Sequence, residues 1–365
     1  VHVMMPVSDS LPHRSEKTTS PGITPQEPPG CSPDLHLALA SLHAQAEELA
    51  QMTRTTVEAL TSPSGMPVPG SAAFDRIARQ TVPRWHFAML NDTERNERLI
   101  GAVQHRVPQG CVALDIGTGT GLLAMATVRA GASHVYTCEA NPLLAEIARQ
   151  TVAANGMSDA ITVLNTLSTD LEVGRDLPRK ADVLVSEIVD CGLIGEGLLP
   201  TVRHAREHLL RPGGLMMPVS ARLHGRLIRS GAMVELNRVQ EAGGFDVSLL
   251  NATASRGHFP VRMHTWPHEL LSEPFEMAAF DLRSDDLLPG RSRLSVPATA
   301  DGRADGIVAW FSLDLGGGFE LCNSPVNPDS HWMQALLLFE KSVSVTAGQS
   351  LDLELRWTDF QLTVS

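Results

Sequence analysis

The feature that most restricts the fold begins at Cys111, where a short apolar run, a glycine turn and a helical stretch alternate and then repeat. The apolar runs are residues 112–116, 134–139, 161–164 and 183–186, and helical spacing fills 122–130 and 143–154. Short runs buried on both faces pair in parallel when helices carry the chain back between them. The pattern therefore predicts a doubly wound α/β domain around a parallel sheet. Such sheets bind ligands at the carboxyl ends of their strands, so functional residues are sought there.

The rest of the 365-residue chain is too long for that domain alone, and two packed domains are expected. Residues 1–31 are rich in Pro, Ser and Thr without a hydrophobic period, which predicts a disordered arm. After Ser32, a suitable N-cap, Leu35, Leu39, Leu42, Ala46, Leu49 and Met52 keep the spacing of an amphipathic helix that stops near Ser62-Pro63. That helix is expected to pack on the body or on a second subunit. A turn-rich linker, 62–71, leads to a second helical stretch from about Phe74 to Val107, broken at Pro83. Beyond Arg211-Pro212-Gly213-Gly214 strands dominate, at 221–228, 306–313, 332–339 and 352–357, which predicts a β sandwich or barrel. The expected division is an arm (1–31), N-terminal helices (32–107), a Rossmann-like domain (108–218) and a β domain (219–365).

Composition excludes several classes. No apolar run approaches the roughly 20 residues a bilayer span requires. Residues 1–10 lack the basic start and apolar stretch of a secretory signal. A net charge of −12 disfavours nucleic acid and favours a cationic substrate. The five cysteines, Cys31, Cys111, Cys138, Cys191 and Cys322, are scattered without a C-x-x-C pair. They predict cytoplasmic thiols, with neither a disulfide framework nor a metal site. Lysine occurs only at Lys17, Lys180 and Lys341 while arginine, alanine, proline and glycine abound, a skew usual in GC-rich bacterial genomes.

The first apolar run closes into Asp115-Ile-Gly117-Thr-Gly119-Thr-Gly121, whose glycines permit a backbone approach that a Cβ would block. Asp115 before them and Glu139 at the end of the next run suit a ribose, whose hydroxyls seek a bidentate carboxylate. Ser168, after the third run, is placed to accept from an adenine amino group, or is an ordinary serine of a βα turn. The fourth run ends in a glycine-interrupted loop that sets Glu187 and Glu196 nine positions apart. Two acids beside one ligand repel unless a cation lies between them, and a planar guanidinium with five donors satisfies both. The alternative is a solvated loop with two unrelated glutamates.

These segments resemble the protein arginine N-methyltransferase family. Its double-glutamate loop is similar to Glu187 through Glu196, and its Thr-His-Trp loop to Ser330-His331-Trp332-Met333-Gln334. Its Met-Leu-x-Asp-x-x-Arg helix is similar to Met89-Leu90-Asn91-Asp92-Thr93-Glu94-Arg95. The resemblance runs from about Met89 to the C-terminus. It implies a Rossmann-like class I methyltransferase domain, a β-barrel domain with a dimerisation arm at about 243–264, and a homodimer. It also implies S-adenosyl-L-methionine as cofactor, leaving as S-adenosyl-L-homocysteine. By the same resemblance the cofactor site comprises Met89, Arg95 (at the carboxylate), Asp115, Gly117, Gly119, Gly121, Glu139 (at the ribose) and Ser168 (at the adenine). Glu187 and Glu196 clamp the acceptor with Trp332 beside them, and His331 pairs with Asp92. Asp190 followed by Gly192-Leu-Ile-Gly-Glu196 looks like the monomethylating, type III branch, because a third acid narrows and charges the pocket.

One departure stands out: Trp85-His86-Phe87 replaces the family's usual tyrosines, and Tyr136 is the only tyrosine of the chain. Bacterial composition and a single catalytic module fit free L-arginine as acceptor, in a natural-product pathway of the nitrosourea, streptozotocin type to which the chain is also similar. Arg/Gly-rich protein tails are the alternative acceptor. A catalytically silent binding module on the same scaffold is the alternative of another class, and a nicotinamide-dependent oxidoreductase shares only the glycine loop.

Overall fold

A computed structural model describes residues 33–61, 69–284 and 286–365. The predicted disordered arm and most of the predicted linker lie outside the described residues. The chain divides into two compact units, Val1–Phe74 and Asp75–Ser365. In the first, α1 (Pro33–Thr61) is the helix that the leucine spacing predicts. The second helical stretch is α2 (Ala72–Thr81), α3 (Trp85–Asn91) and α4 (Thr93–Arg106). Pro83 accounts for the first break. The second break, at Asp92, is absent from the sequence reading. There the backbone turns extended, and the Asp92 carboxylate accepts the Arg95 amide at 3.0 Å as the N-cap of α4.

The parallel domain follows as β1 (Val112–Ile116), α5 (Leu122–Arg129), β2 (His134–Glu139), α6 (Pro142–Ala154), β3 (Ile161–Asn165), β4 (Ala181–Ser186), α7 (Leu198–His204) and β5 (Leu210–Met217). The strands lie in the order β3-β2-β1-β4-β5, all parallel. The order reverses between β1 and β4. Connections leave the sheet in opposite directions on either side of that line, which opens a crevice at the carboxyl ends of these strands. The stretch Arg211–Gly214, after which the sequence predicts strands, is itself a bulge inside β5. Pairing jumps there from Ala181–Leu210 to Val183–Leu215, and Gly213 takes φ +70°.

The C-terminal part comprises β6 (Ser220–Arg229), α8 (Gly231–Val234), β7 (Glu241–Ala242), β8 (Phe245–Asp246), β9 (Phe259–Val261), β10 (Glu269–Leu270), β11 (Phe275–Asp281) and β12 (Gly290–Pro297). After these come β13 (Gly302–Gly316), β14 (Phe319–Cys322), β15 (Gln334–Val345), β16 (Ser350–Trp357) and β17 (Leu362–Val364). One antiparallel sheet runs β10-β6-β13-β15-β9, with β11 on β6 and β14 on β13. A second is β12-β16-β17, and the two make a barrel-like body. Trp332, predicted to open a strand, lies in the loop just before β15. Within the stretch predicted as the arm, β9 pairs with β15 and belongs to the barrel sheet, while Phe245, Leu249 and Leu250 ahead of it are exposed.

One apolar core links Leu99 of α4, Leu114 of β1, Phe311 of β13 and Leu355 of β16, so sheet and barrel share an interior. Arg106 fastens the join. Its Nη1 donates to Met216 O at 2.8 Å and Leu315 O at 2.5 Å, one carbonyl from each body. Gly316, at φ +77°, leaves the room: a Cβ there would lie 2.6 Å from the guanidinium carbon. Arg106→Met removes two charge-assisted hydrogen bonds and is expected to lower the unfolding free energy by about 2–3 kcal/mol, measured by denaturant titration.

Candidate active site

At the crevice Gly117, Gly119 and Gly121 have φ of +82°, +53° and +88°. At Gly117 a Cβ would also lie 2.5 Å from Ile188 Cγ2, so conformation and space both demand glycine. Glu139 ties itself to this turn, accepting the Gly119 amide at 3.0 Å on one oxygen and the Asn141 amide at 2.9 Å on the other.

Asp115 does not join it on the wall, contrary to the ribose expectation. Its side chain lies beneath the turn, where Oδ2 accepts the hydroxyls of Thr137 at 2.7 Å and Thr118 at 3.3 Å. Burial pushes its pKa up to about 6. Gly121 likewise sits off the wall, as the left-handed residue before α5.

A cavity of about 510 Å³ opens above the turn and gathers most of the predicted residues: Met89, Gly117, Gly119, Glu139, Ser168, Glu187, Asp190, Glu196, His331 and Trp332. Trp85 and His86, which stand where tyrosines were expected, also line it, with their rings stacked 3.8 Å apart. Arg95 and Asp92 lie one layer behind the wall.

Arg95 does not reach outward; it lies on Glu187. Its Nε donates to Glu187 Oε2 at 3.0 Å and its Nη2 donates to the same oxygen, with both side chains almost fully buried. The guanidinium also sits 5.8 Å from the Trp332 ring centre. Burial pushes the Glu187 carboxyl above its ordinary range, and Arg95 pulls it back.

Glu196 has no such partner among the described residues. It is exposed at the cavity, and the protein packed around it still desolvates its carboxylate. Desolvation, then the charges of Glu187, Asp190 and Glu139, push its pKa up to about 7.

His331 and Asp92 pair as expected, with Nδ1 2.9 Å from Asp92 Oδ2 and the His331 amide donating to the same oxygen at 3.0 Å. Burial opposes the charge of Asp92, but the amides of His331 and Arg95 and the His331 ring outweigh it, so its pKa falls below the ordinary value. Burial also lowers the pKa of His331. A neutral ring donating Nδ1–H to an ionised Asp92 leaves Nε2 as a lone-pair acceptor.

Residues outside the sequence reading hold this arrangement. Asn323, wholly buried, accepts the Phe311 amide at 2.6 Å and donates to Cys191 O at 3.0 Å and Met333 O at 2.8 Å. It joins the double-acid loop to the His-Trp loop through β13. Trp332 Nε1 donates to Val189 O at 3.3 Å and makes the same join. The only signal for Asn323 in the sequence is a polar residue directly after an apolar strand. His258 contacts Asp190 and is equally unmarked.

Known proteins resemble the chain over both of these bodies. A family model for the arginine methyltransferase oligomerization subdomain matches residues 220–361, and one for ribosomal protein L11 methyltransferase (PrmA) matches 98–216. The chain is 55% identical over 329 residues to the arginine N(omega)-methyltransferase of Streptomyces achromogenes subsp. streptozoticus, covering 90% of this chain and 91% of that one.

The chain belongs to the protein arginine N-methyltransferase family.

Protein arginine N-methyltransferase 9 of Xenopus laevis and of Homo sapiens are each 32% identical over 73% and 72% of this family member. It spans only 36% and 35% of their lengths. Its fold matches the Trypanosoma brucei PRMT1 enzyme–prozyme heterotetrameric complex with AdoHcy at TM-score 0.65 and 24% identity, over 74% of this chain and 86% of that one. Arabidopsis thaliana protein arginine methyltransferase 10 follows at TM-score 0.60 and 23% identity, with the same coverage.

Glu196 in this methyltransferase carries a pH signature. Its pKa is raised from an ordinary 4.5 to about 7, so its stabilising contribution is complete below about pH 4.5 and is lost as pH rises through 7. Glu196→Gln, which cannot ionise, should therefore melt progressively higher relative to the native chain between those pH values. Calorimetry at pH 5, 6 and 7.5 checks it.

Proposed function

We propose that this enzyme moves a methyl group from S-adenosyl-L-methionine to an ω-nitrogen of free L-arginine and stops at monomethylarginine. The observation that carries the proposal is that Glu187, Asp190 and Glu196 line one cavity together with Glu139, and no lysine or arginine lines it among the described residues. Desolvation and then the neighbouring acids raise the pKa of Glu196, the charge of Arg95 offsets this only in part, and a guanidinium in the cavity supplies a further cation.

The cofactor fits the other end of the cavity. Gly117 leaves the volume that a Cβ would fill, and Glu139 presents a carboxylate at the strand end beside it. Gly117, Gly119, Glu139, Ser168 and Met89 would hold the nucleoside, and the bound cofactor supplies an electrophilic sulfonium methyl. The protein's own task is alignment, exclusion of water and management of charge. A guanidinium nitrogen shares its lone pair with the delocalised cation, whose pKa above about 12 rules out prior deprotonation. Glu187 and Glu196 draw positive charge onto the nitrogens they hold and leave the third more nucleophilic. Arg95 fixes the direction of Glu187. The proton released at the nitrogen passes to Glu196 or to the free Nε2 of His331, whose imidazolium Asp92 stabilises.

Free arginine is favoured because the relative matched across nearly its whole length is named an arginine, not a protein arginine, N(omega)-methyltransferase, whereas the two protein arginine N-methyltransferase 9 relatives are far longer than this chain. Asp190 beside the clamp supports monomethylation, since a methylated guanidinium must re-enter a narrowed, charged site. Exposed Phe245, Leu249 and Leu250 suit a dimer contact. No described helix is long and apolar enough to cross a membrane, and the proposed setting is the cytoplasm of a bacterium making a nitrosourea-type product.

Incubation with labelled cofactor and either free L-arginine or an Arg/Gly peptide tests the acceptor. Mass spectrometry should show monomethylarginine from the amino acid; label in the peptide alone, or abundant dimethylarginine, would count against the proposal. Glu196→Gln should bind the cofactor within about twofold of the native affinity by calorimetric titration while kcat falls by about 10²–10³.

A further inference from the structure

His258 is a nearly buried imidazole, 5% exposed, just ahead of β9 and outside the machinery described above. Its amide donates to Leu362 O at 3.0 Å, and its Nδ1 accepts the Leu362 amide at 3.1 Å. A ring nitrogen that accepts carries no proton. His258 is therefore neutral, with its hydrogen on Nε2. That Nε2 lies 2.7 Å from Asp190 Oδ2 and must be the donor.

Asp190 uses its other oxygen to take the Gly195 amide at 2.8 Å, closing the loop on itself one residue before Glu196. The packing leaves no slack. A Cβ on Gly192 would lie 2.3 Å from the His258 ring, and a Cβ on Gly195 would lie 2.3 Å from Asp190. The chain Leu362–His258–Asp190–Gly195 thus runs from β17 to the residue that aims Glu196. Cys191 brings a sulfur near the same point, so that His, Asp and Cys ligand atoms lie within 4.8 Å of one another. A shared ion does not account for the pair, because two ligands each about 2.1 Å from one tetrahedral ion stand roughly 3.4 Å apart. The observed 2.7 Å is a hydrogen bond.

We infer that His258 is a positioning residue for methyl transfer: by donating Nε2–H to Asp190 it holds the double-acid loop so that Glu196 meets the acceptor beside Glu187. Its role rests on the guanidinium clamp proposed above. An imidazole suits the place because it accepts from a backbone amide at one nitrogen and donates to a carboxylate at the other. Glutamine keeps a donor near Nε2, asparagine is too short, and phenylalanine fills the space without either bond.

The test compares His258→Phe, His258→Gln and His258→Asn with the native enzyme in the full chain. In His258→Phe, kcat on arginine should fall about 10- to 100-fold and the arginine KM should rise, while the S-adenosylmethionine Kd stays within about twofold. His258→Gln should recover most of the loss. In a double-mutant cycle, Asp190→Asn should cost much less in the His258→Phe background than alone. Native kcat in His258→Phe, equal loss in Phe and Gln variants, additive costs, or stoichiometric zinc in the purified protein would each overturn the inference. Should His258→Phe fail to fold, Gln outperforming Asn in kcat supports it, and equal kcat overturns it. Native enzyme that leaves arginine unmethylated sinks the clamp instead, which separates the two failures.

Discussion

The buried contact between Arg95 and Glu187 is the point on which the site is assembled. A carboxylate taken out of water loses several kcal/mol of solvation, and only a close, well-oriented cation makes its burial tolerable. Arg95 supplies that cation from α4, and its own position is set twice over. Its backbone amide caps onto Asp92, and its guanidinium lies against Trp332. Asp92 in turn takes the ring and amide of His331. A helix before the sheet, a strand end within it and a loop of the barrel therefore converge on one ion pair. Disturbing any of them exposes or misdirects Glu187.

Glu196 is the complement of that arrangement. Glu187 is matched inside the protein, whereas Glu196 makes no ion pair among the described residues, and its pKa of about 7 records desolvation first and the like charges beside it second. The two acids of one loop thus do different work. One is a fixed, oriented acceptor, and the other is a charge whose partner is a substrate. The surrounding framework, with Asn323 and Trp332 Nε1 pinning carbonyls of the loop, keeps that repulsion from relaxing by movement.

The glycine turn, the strand ends and the double-acid loop were legible because each is written in consecutive residues whose local chemistry admits few conformations. Residues whose partners are remote were not legible. Arg106 reaches carbonyls 110 and 209 positions away, Asn323 one 132 positions away, and His258 a carboxylate 68 positions away. The burial of Asp115, which the sequence offers to a ribose, has the same reason. Its register partner across the sheet is Thr137, whose hydroxyl draws the carboxylate underneath, and register is a property of two strands. Arg95, expected at a cofactor carboxylate, also lies on Glu187, a carboxylate 92 positions distant that no local signal marks as its partner.

From its sequence alone the chain determined a parallel sheet with a glycine-lined crevice, an antiparallel body after it, and two acids on the crevice edge. Periodicity, left-handed glycines and turn chemistry act over a few residues, so they survive in a linear text. Only the tertiary structure decided which acid is neutralised internally and which is left for a ligand, and which buried polar groups lock the loops. Those outcomes depend on desolvation and on distances of a few ångströms between segments that meet only after folding.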